Sequence, residues 1–354
     1  SAGAETDHSC RTRYNKQIFM TQRASSIQTP RWQTIMAAAM TDPLQLIECL
    51  ELPLSWLPQA QNAARLFPLR VPQPYLDRIR RGDPHDPLLR QILPLGDELA
   101  APIGFSPDPV GDLMSLRGPG LLQKYAGRVL IVSTGACAIH CRYCFRRHFP
   151  YADHSTSRQQ WRDTFRVIAD DMSLSEVIFS GGDPFSLSDD RLAAMVNDVA
   201  ACPHIYRIRF HTRLPVVLPQ RIDDVCISWL SKITKPLVIV VHANHPQELD
   251  ESVTTAFQRL RDINCTLLNQ SVLLRGVNDD AQVLQDLSEQ LFQNGVLPYY
   301  LHTLDRVQGG AHFEVGHETM VELLNTLTAR LPGYLVPKLV SEIPGEHSKV
   351  MVSL

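Results

Sequence analysis

Three cysteines stand close together in Cys137-Ala-Ile-His-Cys141-Arg-Tyr-Cys144, just after the apolar run Arg128-Val-Leu-Ile-Val-Ser-Thr-Gly135. Thiols spaced C-x3-C-x2-C, on a loop that leaves a buried strand, can converge on one metal centre without any distant partner. Thiolates select soft metals such as zinc or iron. A cubane of four irons held by three cysteines leaves one iron open to a non-protein ligand, and that open corner suggests a catalytic cluster. The same cysteines with His148 would also make a Cys3His zinc site, so the cysteine spacing leaves both readings open.

Two further stretches carry residues of chemical interest. Ser180-Gly181-Gly182-Asp183-Pro follows the apolar segment Ser175-Glu-Val-Ile-Phe179, and a glycine pair at a strand end lets backbone approach a ligand closely. Near the end of the chain, Ser341-Glu342-Ile-Pro344-Gly-Glu-His-Ser-Lys349 holds a lysine in a small Gly- and Pro-containing loop. If its amine is partly desolvated, such a lysine can form a Schiff base with an aldehyde cofactor. Taken alone, a lysine near a terminus is usually just solvated.

These residues need elements to position them. From Val129 onward, β-branched apolar runs (129–133, 177–179, 205–210, 237–241, 266–273 and 297–301) alternate with helix-length segments at 189–201, 247–263, 281–292 and 318–331. Nearly continuous apolar strands alternating with helices give a parallel sheet covered on both faces. The competing architectures are an open partial barrel and a doubly wound sheet. In a barrel, functional groups gather where strands end and loops begin. The polar residues His211, Arg213, His242, Asn244, Gln270, Ser271, Asp305 and Glu342 fall at such ends, which favours one shared mouth.

The preceding stretch, 20–126, is proline-rich with short helical segments, such as Asp42 to Leu50 with Asp42 as cap and Pro43 in the first turn. It reads as a helical region packed on a catalytic barrel at 127–354. Residues 1–19 are polar and without period, and read as a tag or disordered arm ahead of a natural start at Met20. The 354 residues are 44% hydrophobic and 20% charged with a net charge of -3, which gives no reason to invoke nucleic acid or an acidic membrane surface. No apolar run approaches the ~20 residues needed to span a bilayer. Arg78, Arg80, Arg81 and Arg90 read as a solvated helix face. Thiolates kept for a cluster need a reducing compartment, hence a cytoplasmic protein, and the scattered Cys10, Cys49, Cys202, Cys226 and Cys265 read as unpaired.

The cysteine spacing after the first strand, joined to the Gly-Gly-Asp element, resembles the radical S-adenosylmethionine (SAM) superfamily. The resemblance narrows further. From about Lys124 to Val350 the chain is similar to the lysine 2,3-aminomutase family, on Cys141-Arg-Tyr-Cys-Phe-Arg-Arg147, Ser180-Gly-Gly-Asp-Pro184, Pro215-Val-Val-Leu-Pro-Gln-Arg221, Asn244-His-Pro246 and Asn269-Gln-Ser-Val-Leu-Leu-Arg-Gly-Val-Asn-Asp279. It implies an open (β/α)6 partial barrel with a 4Fe-4S cluster, SAM and pyridoxal 5'-phosphate (PLP) as cofactors. Cys137, Cys141 and Cys144 would hold the cluster. Ser180, Gly181, Gly182, Asp183, His211, Arg213, His242 and Asn244 would lie on the cofactor side, Gly181 and Gly182 at the SAM amino group.

By position, Lys349 matches the PLP-binding lysine, and Lys124 and Arg128 match basic residues facing its phosphate, with lysine at 124 where arginine is usual. Gln270 and Ser271 match further cofactor contacts. Arg146 matches the arginine for the substrate carboxylate. Asp305 and Glu342 match an acidic pair for the far ammonium of L-lysine, with glutamate at 342 in place of the family's aspartate.

The reaction implied is a 1,2 amino migration that turns (S)-α-lysine into (R)-β-lysine, driven by an external electron donor. The chain ends soon after Lys349, which resembles the short members that supply β-lysine for modification of elongation factor P (EF-P), and so implies a link to that factor and its lysylating ligase. An aminomutase for arginine or glutamate, or a zinc-stabilised binding module without chemistry, are the rival readings.

Overall fold

The computed structural model describes residues 31–154 and 158–352. The expectations for 1–19, for a start at Met20 and for Cys10 lie outside the described residues. Ten strands form one sheet: β1 (Leu116–Gly118), β2 (Leu121–Leu122), β3 (Arg128–Val132), β4 (Glu176–Ser180), β5 (Arg207–His211), β6 (Leu237–Val241), β7 (Thr266–Val272), β8 (Leu297–His302), β9 (Lys338–Ser341) and β10 (Val350–Met351). Strands β3 to β9 are parallel neighbours in strict chain order. A doubly wound sheet reverses its strand order at a switch point. Here there is no reversal, so the open barrel is the architecture.

Helices cross between successive parallel strands, from Arg158–Asp170 after β3 to His317–Arg330 after β8. The apolar runs form strands because their side chains are enclosed: all of β4 is buried, and β6 is buried but for one half-exposed position. The helix Glu251–Asp262 turns Val253, Ala256, Phe257 and Leu260 inward, the three- and four-residue spacing of a one-sided helix. Its cap, Asp250, accepts from Val253 N at 3.0 Å.

Two features differ from the sequence reading. A seventh parallel strand, β9, follows the sixth crossover, and β10 turns back antiparallel onto it with Val350 opposite Ser341. At the other edge β1 and β2 make an antiparallel hairpin that pairs with β3, so the stretch before residue 127 also contributes strands. Both pieces are short and mix charge or proline with apolar residues, which hides them from a search for apolar runs.

The helical region shares the barrel's core. Trp32, Leu46, Ile47, Tyr75, Leu88 and Ile92 belong to the same buried cluster as Val177, Phe210 and Ile239. The expected cap at Asp42 is present, accepting from Leu44 N at 2.9 Å ahead of Pro43–Cys49. Arg78 is not on a solvated face: its side chain is 6% exposed and donates to Val216 O at 2.7 Å. Cys202, Cys226 and Cys265 are buried free thiols, whereas Cys49 is disulfide-bonded, a pairing that spacing along the chain does not reveal. Among the described residues, no helix is long and apolar enough to cross a membrane.

Candidate active site

The strand ends of β3 to β9 surround a cavity of about 870 Å³, within the size range of small-molecule sites. The loop after β3 carries Cys137, Cys141 and Cys144, all lining it. This loop is held from outside the barrel. Arg142 N donates to Gln91 O at 2.9 Å and His140 N to Arg70 O at 2.9 Å. The Glu98 carboxylate accepts from Arg142 Nε and Nη2 at 2.8 and 2.6 Å and from Arg147 Nη2 at 2.7 Å, all three side chains being at most 1% exposed.

The glycine pair lies against the same loop. Gly182 N donates to Thr134 O at 2.6 Å and Asp183 N to Ala136 O at 2.8 Å. A Cβ at Gly182 would meet Ala136 O at 2.4 Å, and Gly181, at φ +122°, would place one 2.7 Å from Thr134 O. The glycines therefore serve first to let the cysteine loop approach β4. Asp183 is engaged in bracing: its oxygens accept from Phe185 N, Thr212 Oγ1, Arg213 N and Leu214 N at 2.7 to 3.2 Å. Burial nevertheless pushes its carboxyl up to about 6.

Among the described residues, no three His, Cys, Asp or Glu side chains converge closely enough to hold a single metal ion. Zinc bound to three thiolates would draw the sulfurs to within roughly 3.8 Å of one another, given Zn–S near 2.3 Å. His148, the fourth ligand of that reading, has Nε2 3.1 Å from Gln308 O. All three thiols line the one cavity, as a cluster held by three cysteines requires. Burial pushes the Cys137 thiol well up, with Asp183 adding to it, and raises Cys144 to about 11, so binding there has to displace protons.

Across the cavity a chain of charges runs from the cysteine loop to the C-terminal hairpin. Arg146 Nε donates to Asp112 Oδ2 at 2.6 Å, and Asp112 Oδ1 lies 2.6 Å from Lys124 Nζ. Lys124 Nζ donates to Glu342 Oε1 at 2.7 Å, and Lys349 Nζ pairs with Glu342 Oε2. Burial opposes ionisation of Glu342, but the Lys349 and Lys124 cations outweigh it and hold its carboxyl down to about 2. Asp305 faces the same space, and its enclosure, reinforced by the Glu342 charge, pushes it up to about 7. Lys349 also sits over the Tyr300 ring at 5.9 Å, and Arg128 over Tyr125 at 4.7 Å.

Of the residues singled out in the sequence, Ser180, Gly181, Gly182, Asp183, Lys124, Arg128, Arg146, His211, Arg213, His242, Gln270, Asp305, Glu342 and Lys349 line the cavity with the three cysteines. Asn244 and Ser271 do not. Asn244 is fully buried, with Nδ2 donating to Tyr143 Oη at 2.7 Å and Gln91 Oε1 at 3.0 Å and its oxygen accepting from Val272 N at 2.8 Å. Ser271 donates to Ala243 O at 2.8 Å. Neighbours on a strand point to opposite faces, so Gln270 reaches the interior and Ser271 cannot. Arg213 is tied to Glu248, Gln91 and the Cys141 sulfur at 2.8, 2.7 and 2.7 Å. Asp112 and Tyr300, which also line the cavity, were not legible in the sequence: neither sits in a motif, and only their partners mark them.

Comparison with known proteins bears on the same residues. Residues 117–206 match the family described as a 4Fe-4S single cluster domain. The chain is 46% identical over 320 residues to an L-lysine 2,3-aminomutase of Haemophilus influenzae, covering 90% of this chain and 95% of that one. It is 45% identical over 324 residues to an Escherichia coli protein of the same name, covering 91% and 94%. The chain belongs to the L-lysine 2,3-aminomutase family. The similarity extends to a member from Clostridium subterminale at 36% identity, over 78% of this chain and 67% of that one. A radical SAM methyltransferase from Sphaerobacter thermophilus aligns with a TM-score of 0.45 and 15% identity over 62% of this chain and 68% of that one.

An aminomutase is an isomerase, and this family's cofactors are a 4Fe-4S cluster, SAM and PLP. The donors around the cavity fit all three. Three thiols suit the cluster, and Lys124 and Arg128 with the Lys349 amine suit an aldehyde bearing a phosphate. The buried His211 Nε2 has no hydrogen-bond partner among the described residues, and burial, with Arg209 and Lys349 nearby, holds that imidazole well below its usual range. A neutral ring nitrogen lining the cavity without a protein partner is free to bond a polar ligand.

Proposed function

We propose that the protein moves the α-amino group of L-lysine to C3, giving (R)-β-lysine, with a cluster on Cys137, Cys141 and Cys144 and PLP on Lys349. The observation that carries the reading is that the thiol loop after β3 and the lysine before β10, far apart in the chain, line one cavity. When bound, the cluster with SAM supplies a hydrogen-abstracting radical, and PLP supplies the π-system across which nitrogen migrates. The protein's part is to hold, orient and exclude water.

Arg146 receives the substrate carboxylate, and Asp305 with Glu342 receives the far ammonium. Glu342 is shared by Lys349 and Lys124. With Lys349 engaged by PLP, Glu342 Oε2 would be free to take a cation from the substrate. Asp305, held near neutrality by burial, gains its full charge when that cation arrives. An acidic far end of this kind opposes a glutamate side chain. Lys124, Arg128 and Gln270 would serve PLP, and Ser180, Gly181, Gly182, His211, Arg213 and His242 would serve SAM and the cluster.

The protein works in the cytoplasm with a reducing partner, and its β-lysine serves EF-P modification. The decisive measurement is the joint content of iron, sulfide and PLP per chain, followed by incubation of the reduced holoenzyme with SAM and L-lysine. Four irons, four sulfides, one PLP and formation of β-lysine are expected, whereas one zinc without sulfide overturns the reading. Lys349→Ala should lose the visible absorbance of bound PLP while keeping its iron.

A further inference from the structure

The charge chain contains one member with no role in the reading above. Asp112 follows the loop Asp108-Pro-Val-Gly111, which is fastened by Asp112 N and Leu113 N donating to the two Asp108 oxygens at 2.9 and 3.1 Å. Gly111 has φ +66°, and a Cβ there would meet Pro344 Cβ at 3.2 Å, so the loop packs directly on the hairpin that carries Lys349. The Asp112 side chain is 1% exposed. One oxygen takes Arg146 Nε and the other takes Lys124 Nζ, both at 2.6 Å. Lys124 is further fixed by Val110 O at 2.9 Å.

A guanidinium has an Nε edge and a terminal edge, and a carboxylate on the first fixes where the second points. With Asp112 on Nε, the terminal nitrogens of Arg146 are left for another acceptor, with Nη1 steadied by Ser180 Oγ at 3.4 Å. The same carboxylate fixes Lys124, so a single buried anion sets the spacing between the cation assigned to the substrate carboxylate and the cation assigned to the phosphate.

We propose that Asp112 is a positioning residue that sets recognition of the amino acid's carboxylate by holding Arg146 and Lys124 at a fixed separation. The inference rests on the assignment of Arg146 and Lys124 made under the proposed function. A carboxylate that merely neutralised buried cations would tolerate a shift of one methylene. A positioning carboxylate would not, since displacements of about 1 Å at such a site cost up to roughly a hundredfold.

The test compares Asp112→Glu and Asp112→Asn with the unmodified holoenzyme, reading equilibrium binding from the visible absorbance of bound PLP. The ligands are L-lysine and pentane-1,5-diamine, which is lysine without its carboxylate. Asp112→Glu should weaken lysine on the order of tenfold or more and leave the diamine unchanged, with iron content and melting temperature kept. Asp112→Asn should do the same more strongly, and loss of fold in that variant leaves Asp112→Glu to decide. Lysine binding unchanged in Asp112→Glu, or lysine and diamine weakened equally, overturns the proposal. Failure of the underlying reading shows separately, as Arg146→Lys that binds lysine like the unmodified protein.

Discussion

The two acidic residues at the far end of the cavity have opposite electrostatics despite being neighbours. Glu342 is held down to about 2 by two lysines, and Asp305 is pushed up to about 7 by burial and by Glu342 itself. Asp305 therefore binds its proton more tightly folded than unfolded. Its contribution to stability is full below its ordinary carboxylate pKa and is lost as pH rises through about 7. Glu342 works the other way, contributing above its ordinary value and losing that contribution as pH falls toward 2. Because a substrate ammonium needs Asp305 ionised, the KM for lysine should fall as pH rises from 6 to 8 at constant kcat. Asp305→Asn should abolish this dependence and raise KM. A pH profile of the same shape in Asp305→Asn would assign the titration elsewhere.

Between elements, the β4 end fits tightly against the cysteine loop. Glycine is required at 182 because any side chain there would enter the Ala136 backbone at 2.4 Å, and that backbone leads into Cys137. Gly182→Ala should displace the loop while leaving the parallel strands paired. The expected outcome is a folded barrel by circular dichroism that fails to retain iron and sulfide on reconstitution. Full iron content in that variant would mean the loop accommodates the methyl group. On β7 and after β6, the roles expected of Ser271 and Asn244 fall to structure: their side chains lock the strand ends together and leave Gln270 and His242 to face the cavity.

For the molecule as a whole, the helical region before the barrel does more than cover one end. Its Gln91 and Glu98 hold the cysteine loop, and its apolar residues share one buried cluster with strands β3 to β7. Two buried arginines without their carboxylate are strongly unfavourable, so Glu98→Gln should destabilise the fold by about 3–5 kcal/mol, read from urea unfolding. Fluorescence and circular dichroism should follow a single transition for the helical region and these strands together. An early, separate transition confined to the helical residues would show that the shared cluster does not couple them.

Much of this was present in the sequence. The three-cysteine loop, the glycine pair and the strand and helix alternation are local patterns, fixed by spacing along the chain. They therefore specify a parallel sheet covered by helices with its polar residues at the strand ends, whereas the strand order of the folded chain decides for the open barrel over a doubly wound sheet. Short strands such as β9, with Lys338 at its start and a proline before it, carry too little apolar signal to be read that way. Only the tertiary structure decided which strand-end residues face inward, that Asp112 joins Arg146 to Lys124, and that Lys349 shares a cavity with the thiols. Partnerships between distant segments depend on sheet register and on how far the barrel closes, and no spacing within a segment encodes either.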